Sequence, residues 1–351
     1  MRLVFQKPIK NKILLYDGNS IERMNFFSKK YSVFYNRYEE INIYVLFYTI
    51  IKNGLINLKV NYKINYFKFV SPKLVITFID ENPGFFKLKN LYKHCKYISV
   101  QSFFKKKYFF NYIKNYKIKN KGYNFYSDYI FILNKSEFSR YSKSIKGKIF
   151  YLGNVYNNNY FNNNSNKVDT KSLIFISSWK YEKRKSLDFK RFIILFDNLS
   201  DYCKKNNLKL FFLSKDKKKY EKDYRKIFKS NEWIYLPRTS SKNTYKIINK
   251  YHFFISDSST LIYEAFAKNK RIIVFPSKKF PYEGYNKNYP NNGPFWSTQC
   301  DFKNLSKKIN NVRKLPNKKW MKLKNYYSKE FIFYSKKNYL LKKYIKKILY
   351  N

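Results

Sequence analysis

The sequence predicts an α/β protein built from two doubly wound domains facing a central cleft, and three observations carry that prediction. Short apolar runs rich in β-branched and aromatic residues alternate with longer amphipathic stretches, the signature of βα units and parallel sheets. The alternation stops at a polar, Asn-rich segment, YNNNYFNNNSNKVDTK (156–171), and then begins again. The 351 residues also suit two domains, at roughly 100–200 residues for each.

Taken in order, the first half offers strands in NKILLYDG (11–18), YSVFYNR (31–37), KLVITFID (73–80), KYISVQS (96–102), DYIFILN (128–134) and KGKIFYLGN (146–154), with a helical INIYVLFYTIIKNG (41–54) among them. The Asn-rich segment has little to bury and reads as a linker. Beyond it come SLIFISS (172–178), a helix around 186–205, LKLFFLS (208–214), EWIYLPR (232–238), YHFFISD (251–257) and KRIIVFP (270–276). The expected boundaries are therefore an N-terminal domain over 1–155, a linker over 156–171, a C-terminal domain over 172–317 and a basic helical tail over 318–351.

Composition narrows the function classes. The chain carries 74 Lys+Arg against 22 Asp+Glu, a net charge of +52, and 64 of the basic residues are Lys. Such a charge attracts phosphate at long range. Base readout and bidentate phosphate contacts favour Arg, however, and the joint enrichment of Lys, Asn, Ile, Tyr and Phe is what AT-rich codons encode. Nucleic acid is thus a poor partner, and an anionic membrane surface a better one. Cys95, Cys203 and Cys300 are widely spaced, which argues against a disulfide framework or a Cys-based zinc site. His94 and His252 are the only histidines, so a multi-His metal site is excluded. The apolar run near the N-terminus is too short for a signal-peptide core, and IYVLFYTII (43–51) is half the length of a spanning helix. A cytoplasmic protein is expected, compatible with peripheral attachment to the inner face of the cell membrane.

In doubly wound sheets, ligands bind beyond the carboxyl ends of strands. In HFFISDSSTLIYEAFAKNKRIIVF (252–275), a strand runs into Asp257 and the hydroxyl-rich turn Ser258-Ser259-Thr260, then a helix. A helix start offers free N–H groups and positive dipole charge to a phosphate. Glu264 follows Thr260 by four residues, on the same helix face, where a carboxylate can accept from ribose hydroxyls. The alternative is a helix cap formed by Asp257, Ser258 or Ser259 and supported by Glu264. In NNGPFWSTQ (291–299), Phe295 and Trp296 either wall a pocket or anchor the loop. Two basic, aromatic segments, 102–126 and 334–351, have either a lipid-facing or a packing role; in the second, Leu341, Tyr344, Ile345 and Ile348 form one helical stripe.

With these residues in hand, the chain resembles a family of bacterial surface-carbohydrate biosynthesis proteins related to the CDP-glycerol glycerophosphotransferases and the GT-B glycosyltransferases. The segments that carry the resemblance are YNRYEEINIYVLF (35–47), ITFIDENPGFFKL (76–88), YISVQ (97–101), DYIFILNKSEFSRYSKSIKGKIFYLGN (128–154), SDSSTLIYEAFAKNKRIIVF (256–275) and GPFW (293–296), in family order. The resemblance implies a GT-B-like transferase that moves a sugar or polyol phosphate from a nucleotide-activated donor to a glycan or lipid-linked acceptor. Its donor side would comprise Asp257, Ser258, Ser259, Thr260 and Glu264, with Arg238, Ser240, Ser178 and Lys180 from neighbouring loops. Arg238 has an alternative as a solvated strand-end charge, and Ser178 and Lys180 as an ordinary loop. Gln101 and Asn82 would lie on the acceptor side. The donor is a substrate, and neither cofactor nor metal is expected: no DxD-type motif is present, and helix starts with Lys or Arg can hold a departing phosphate. A base must take the acceptor proton; the order of candidates is Asp80, Glu81, Asp17, and the alternative is that these strand-end acids cap helices. Relatives usually carry Gln-Asn-Gly or Gln-His-Gly after the strand YISV, whereas this chain has Gln101-Ser102-Phe103, and neither histidine lies in a strand-end loop. That departure motivates the alternative of a catalytically silent binding or scaffold subunit of a polysaccharide assembly complex.

Overall fold

The computed structural model describes residues 1–350 except Tyr38, 104–106, 161–168, 184–185 and 278–289. The chain divides into Met1–Val155 with Asn338–Asn351, and Tyr156–Lys337.

The first unit holds β1 (Arg2–Val4), β2 (Ile13–Tyr16), β3 (Ser32–Phe34), β4 (Glu40–Asn42), β5 (Leu74–Thr77), β6 (Lys96–Val100), β7 (Tyr126–Ile132) and β8 (Lys146–Tyr151). Six of these form one parallel sheet in the order β3-β2-β5-β6-β7-β8, and β1 pairs with β4 beside it. Strands such as β2 and β5 are buried throughout, which is why they read as unbroken apolar runs. Successive side chains leave opposite faces. Leu14, Tyr16, Val75, Tyr97 and Ile130 therefore enter one core, and Ile13, Leu15, Leu74, Ile76 and Ile98 enter the other.

The helix Tyr339–Tyr350 covers that second face. Leu341 and Ile345 are buried in it, and the Tyr344 ring lies 4.6 Å from Phe150 and 4.7 Å from Tyr129. The expected stripe is thus a packing stripe. In the 102–126 segment, Phe109, Ile113 and Phe125 likewise belong to the core.

The second unit holds β9 (Asp169–Ile176), β10 (Lys209–Ser214), β11 (Ile234–Pro237), β12 (Tyr251–Ser256) and β13 (Arg271–Val274), all parallel, in the order β11-β10-β9-β12-β13. Strand order reverses between β9 and β12 here, and between β2 and β5 in the first unit. The loops leaving those four strands therefore flank the crevice that a doubly wound sheet offers to a ligand.

Two expected boundaries change. The tail 318–351 is not one element: the helix Asn317–Phe331 packs within the second unit through Trp320 and Phe331, while Tyr339–Tyr350 joins the first. A break placed at a rise in charge missed that both helices keep an apolar face. Of the expected linker, residues 161–168 lie outside the described residues, while Val155–Asn159 is helical and β9 already begins at Asp169. In the GPFW segment, Phe295 and Trp296 are buried and the indole covers Gly293, where an added Cβ would sit 2.1 Å from the ring. The pair anchors the loop.

Candidate functional site

In the second unit, the loop after β9 and the loop after β12 are tied together. The Ser178 hydroxyl lies 2.9 Å from each carboxylate oxygen of Asp257 and also meets the Ser258 hydroxyl. The Trp179 indole donates to the same carboxylate. Burial raises the Asp257 pKa, and the hydrogen bonds from Ser178 and Trp179 oppose the rise. Ser256 completes the turn, donating to the Ile176 carbonyl at 2.7 Å and accepting from the Ser259 amide at 3.0 Å. Thr260 stands at the N-cap of the helix Leu261–Ala267 without a side-chain capping bond. The carboxylate of Asp257 is thus used to join two loops, and the capping alternative for this segment does not apply. Ser259 is buried, and Ser258 and Thr260 are partly open to solvent.

Arg238 follows β11 and donates to the Ser177 carbonyl at 2.7 Å. Burial lowers its pKa to about 10, and the charge of Glu264 pulls it back. Its Nε is buried with no hydrogen-bond partner. A guanidinium bonded through one arm to the Ser177 and Leu213 carbonyls, with its Nε buried and unpaired, is not the solvated strand-end charge of the alternative. Glu264 is buried, accepts from the Tyr245 hydroxyl, and its carbonyl accepts from Asn157 Nδ2 at 3.2 Å. Lys268 sits 5.2 Å over the Tyr245 ring, and burial lowers its pKa to about 8 against the pull of Glu264. Lys180 is exposed. Ser240 is exposed and accepts from the Asn243 amide at 3.1 Å, so its side chain caps the helix Ser241–Lys250.

The structure joins Ser178, Asp257 and Ser258 by hydrogen bonds, places Arg238 where the charges of Glu264 and Asp257 act on it, and leaves Ser240 and Lys180 at the margin. Sequence reasoning missed Trp179 and Tyr245. A Trp in a strand-end loop of a chain with four Trp was a signal for the first. Nothing local marked Tyr245, which reaches Glu264 only through the tertiary fold.

In the first unit the strand-end acids separate. Asp80 is 0 % exposed and accepts from the Ser102 amide at 3.3 Å and from the Tyr141 hydroxyl. A carboxylate with both oxygens so engaged and no access to solvent cannot take a proton from an acceptor in this arrangement. Its place as first base candidate is corrected on that ground. Asp17 is also buried, with φ of 97°, accepting from the Asn19 amide at 3.0 Å and pairing with Arg37 at 3.1 Å. Glu81 is partly exposed.

Gln101 is fully occupied: its Oε1 accepts from the Leu133 amide at 2.9 Å, and its Nε2 donates to Phe103 O at 3.0 Å and Glu137 Oε2 at 3.1 Å. It braces the ends of β6 and β7, and the expected acceptor-side role does not fit. Burial raises the Glu137 pKa and the neighbouring Arg140, 3.2 Å away, lowers it. Asn82 is partly exposed and its side chain turns back to the Gly84 amide at 2.9 Å. Among the described residues, no three His, Cys, Asp or Glu are grouped to hold a metal ion.

A protein-family model described as "putative O-antigen biosynthesis protein" matches residues 100–349. No curated protein matches the chain by sequence. Among solved structures, the wall teichoic acid polymerase TagF is similar at 12 % identity and a TM-score of 0.53, over 97 % of this chain and 90 % of that one. A UDP-GlcNAc 2-epimerase from Neisseria meningitidis, bound to UDP-GlcNAc, is similar at 10 % identity and a TM-score of 0.57, over 99 % of this chain and 100 % of that one. At such identities the likeness is one of fold, and that fold is of the GT-B type.

Proposed function

The chain belongs to the O-antigen biosynthesis protein family, and from that premise we propose that it is a transferase moving a sugar or polyol phosphate from a nucleotide-activated donor to a glycan or lipid-linked acceptor. Its place in surface-polysaccharide biosynthesis rests on the family. The observation that carries the finer proposal is the joined pair of loops at the strand reversal of the second unit, where Ser178 and Trp179 meet Asp257 beside the partly exposed Ser258 and Thr260.

In this proposal the second unit holds the donor. The Ser258 and Thr260 hydroxyls donate to its phosphates, and Arg238 and Lys180 stabilise the negative charge that grows on the departing nucleotide. The unpartnered Nε of Arg238 supports that role. Glu264, fixed by Tyr245, is the carboxylate for a ribose hydroxyl. Lysine, arginine and backbone N–H groups supply the positive charge without metal. The first unit receives the acceptor, with Glu81 taking the proton of its attacking hydroxyl. Asn82, next to Glu81, is the acceptor contact.

Titration calorimetry against CDP, UDP, GDP and ADP tests the donor site. Saturable binding of one of them, weakened in Ser258→Ala and Glu264→Ala, is the expected result. A folded protein that binds none overturns the proposal. The burial of Asp80 favours the second possibility, a silent scaffold subunit; donor hydrolysis that is lost in Glu81→Gln would exclude it.

A further inference from the structure

The helix Ile43–Asn53 is apolar on both sides. Val45 and Thr49 are buried in the first unit, whereas Tyr44, Phe47 and Ile51, three and four residues apart on the other side, face outward. Phe47 is 60 % exposed and Ile51 85 %. The turn into the helix Leu58–Val70 extends this surface with Leu55 at 71 % and Ile56 at 79 %. A surface helix ordinarily turns polar residues outward, and a contiguous exposed apolar patch marks an interaction site. The two helices meet at 115°, and neither is long and apolar enough to cross a bilayer alone.

Charge selects the occupant. From Ile41 to Ile79 the sequence has five Lys and no Asp or Glu. Lys52 and Lys59 are exposed beside the apolar corner. Lys7 stands 5.5 Å over the Phe69 ring, which packs on Tyr44 and Tyr48 at 5.4 and 4.9 Å. A second copy docked on the same patch would set these lysines against each other. An anionic lipid surface pairs with them, and its acyl boundary accepts the apolar side chains.

We propose that the corner formed by Ile43–Asn53 and Leu58–Val70 docks the first unit on an anionic bilayer, with Phe47, Ile51, Leu55 and Ile56 entering the acyl boundary and Lys52 and Lys59 meeting lipid phosphates. This stands without the transferase reading, because it uses none of the residues assigned there to donor or acceptor.

The test is co-sedimentation of the full chain with phosphatidylglycerol–phosphatidylcholine vesicles and with pure phosphatidylcholine vesicles, alongside light scattering. The wild type should pellet with the anionic vesicles. Ile51→Ser/Leu55→Ser/Ile56→Ser should lower partitioning by at least about tenfold, with an unchanged melting temperature. Lys52→Glu/Lys59→Glu should lower binding to anionic vesicles and leave the weak binding to neutral ones unaltered. If the triple variant misfolds, Ile51→Ser and Leu55→Ser alone should each weaken partitioning severalfold. Wild-type protein that stays in the supernatant overturns the proposal, as does a folded triple variant that partitions like wild type. A wild-type dimer that the triple variant converts to monomer, without vesicle binding, overturns it in favour of a second copy.

Discussion

Trp179 and Asp257 are joined by an indole N–H that donates to a buried carboxylate, and this bond ties the end of β9 to the end of β12 where strand order reverses. The Ser178 hydroxyl meets the same carboxylate. One acid therefore ties together the two loops proposed to hold the donor.

Replacing that acid should affect both folding and binding. Asp257→Ala removes the acceptor of the partly buried Trp179 indole and one of two partners of the Ser178 hydroxyl, which keeps Ser258, a loss of about 1 kcal/mol for each bond. Urea unfolding should report the lost stability, and calorimetry a weaker nucleoside diphosphate complex. Ser178→Ala, which removes one donor and keeps the acid, should fall between the variant and the wild type in both measurements.

Arg238 presents a planar fork of which only one arm is bonded to the backbone. Arg238→Ala should weaken nucleoside diphosphate binding by about tenfold or more, the loss of roughly one charge-assisted contact. Lysine lacks the fork, so Arg238→Lys should recover little of the affinity. Full recovery in the Lys variant would show that only charge matters there.

Asp80 and Glu81 are neighbours in sequence with opposite expected phenotypes. Asp80→Ala should lower stability by about 1–3 kcal/mol, because the Tyr141 hydroxyl and Ser102 amide lose a buried acceptor. Glu81→Gln should leave the melting temperature near that of the wild type and remove transfer. Thermal melts with a donor-consumption assay separate the two. Turnover that survives in Glu81→Gln returns the base to another residue.

His252 gives a pH dependence. Burial, with the charges of Arg271 and Lys270, lowers its pKa from 6.5 to about 4. The folded state thus binds this proton less tightly than the unfolded chain. The contribution to stability is complete above pH 6.5 and is lost as pH falls toward 4. With allowance for its partial exposure, the loss amounts to about 2 kcal/mol. Urea titrations at pH 7 and 4.5 should show that loss in wild type and a smaller one in His252→Gln.

Leu341→Ala should destabilise the protein by about 2–5 kcal/mol, the range for removing a buried leucine from a packed site. Lys346→Ala, on the exposed side of the same helix, should change stability little. Equal melting temperatures for Leu341→Ala and wild type would deny the packing described for this helix.

The sheets were legible because strands covered on both faces, such as KLVITF and SLIFIS, are unbroken apolar runs. The position of the two joined loops was legible for a related reason: Ser178 and Asp257 stand immediately beyond such runs. The role of Asp80 was not. Its position one residue past FI is as visible as that of Glu81, but which of the two turns inward depends on Tyr141, sixty-one residues later. Gln101 was hidden in the same way, since Leu133 and Glu137 consume its amide. The Tyr339–Tyr350 helix reads as an amphipathic tail in isolation, and only the exposed face of the sheet it covers explains its stripe. The Phe47–Ile56 surface escaped notice because apolar residues on both sides of a short helix suggest interior packing.

The return of the Tyr339–Tyr350 helix to the first unit makes that unit discontinuous in sequence. During synthesis, Leu74, Ile76 and Ile98 wait for Leu341 and Ile345 while more than two hundred intervening residues are added. The sheet of the first unit can assemble early on the ribosome, but one of its cores closes only when the Tyr339–Tyr350 helix emerges. A nascent chain halted before residue 338 would display an unsealed apolar face, an obvious target for chaperones, even with its second unit already folded.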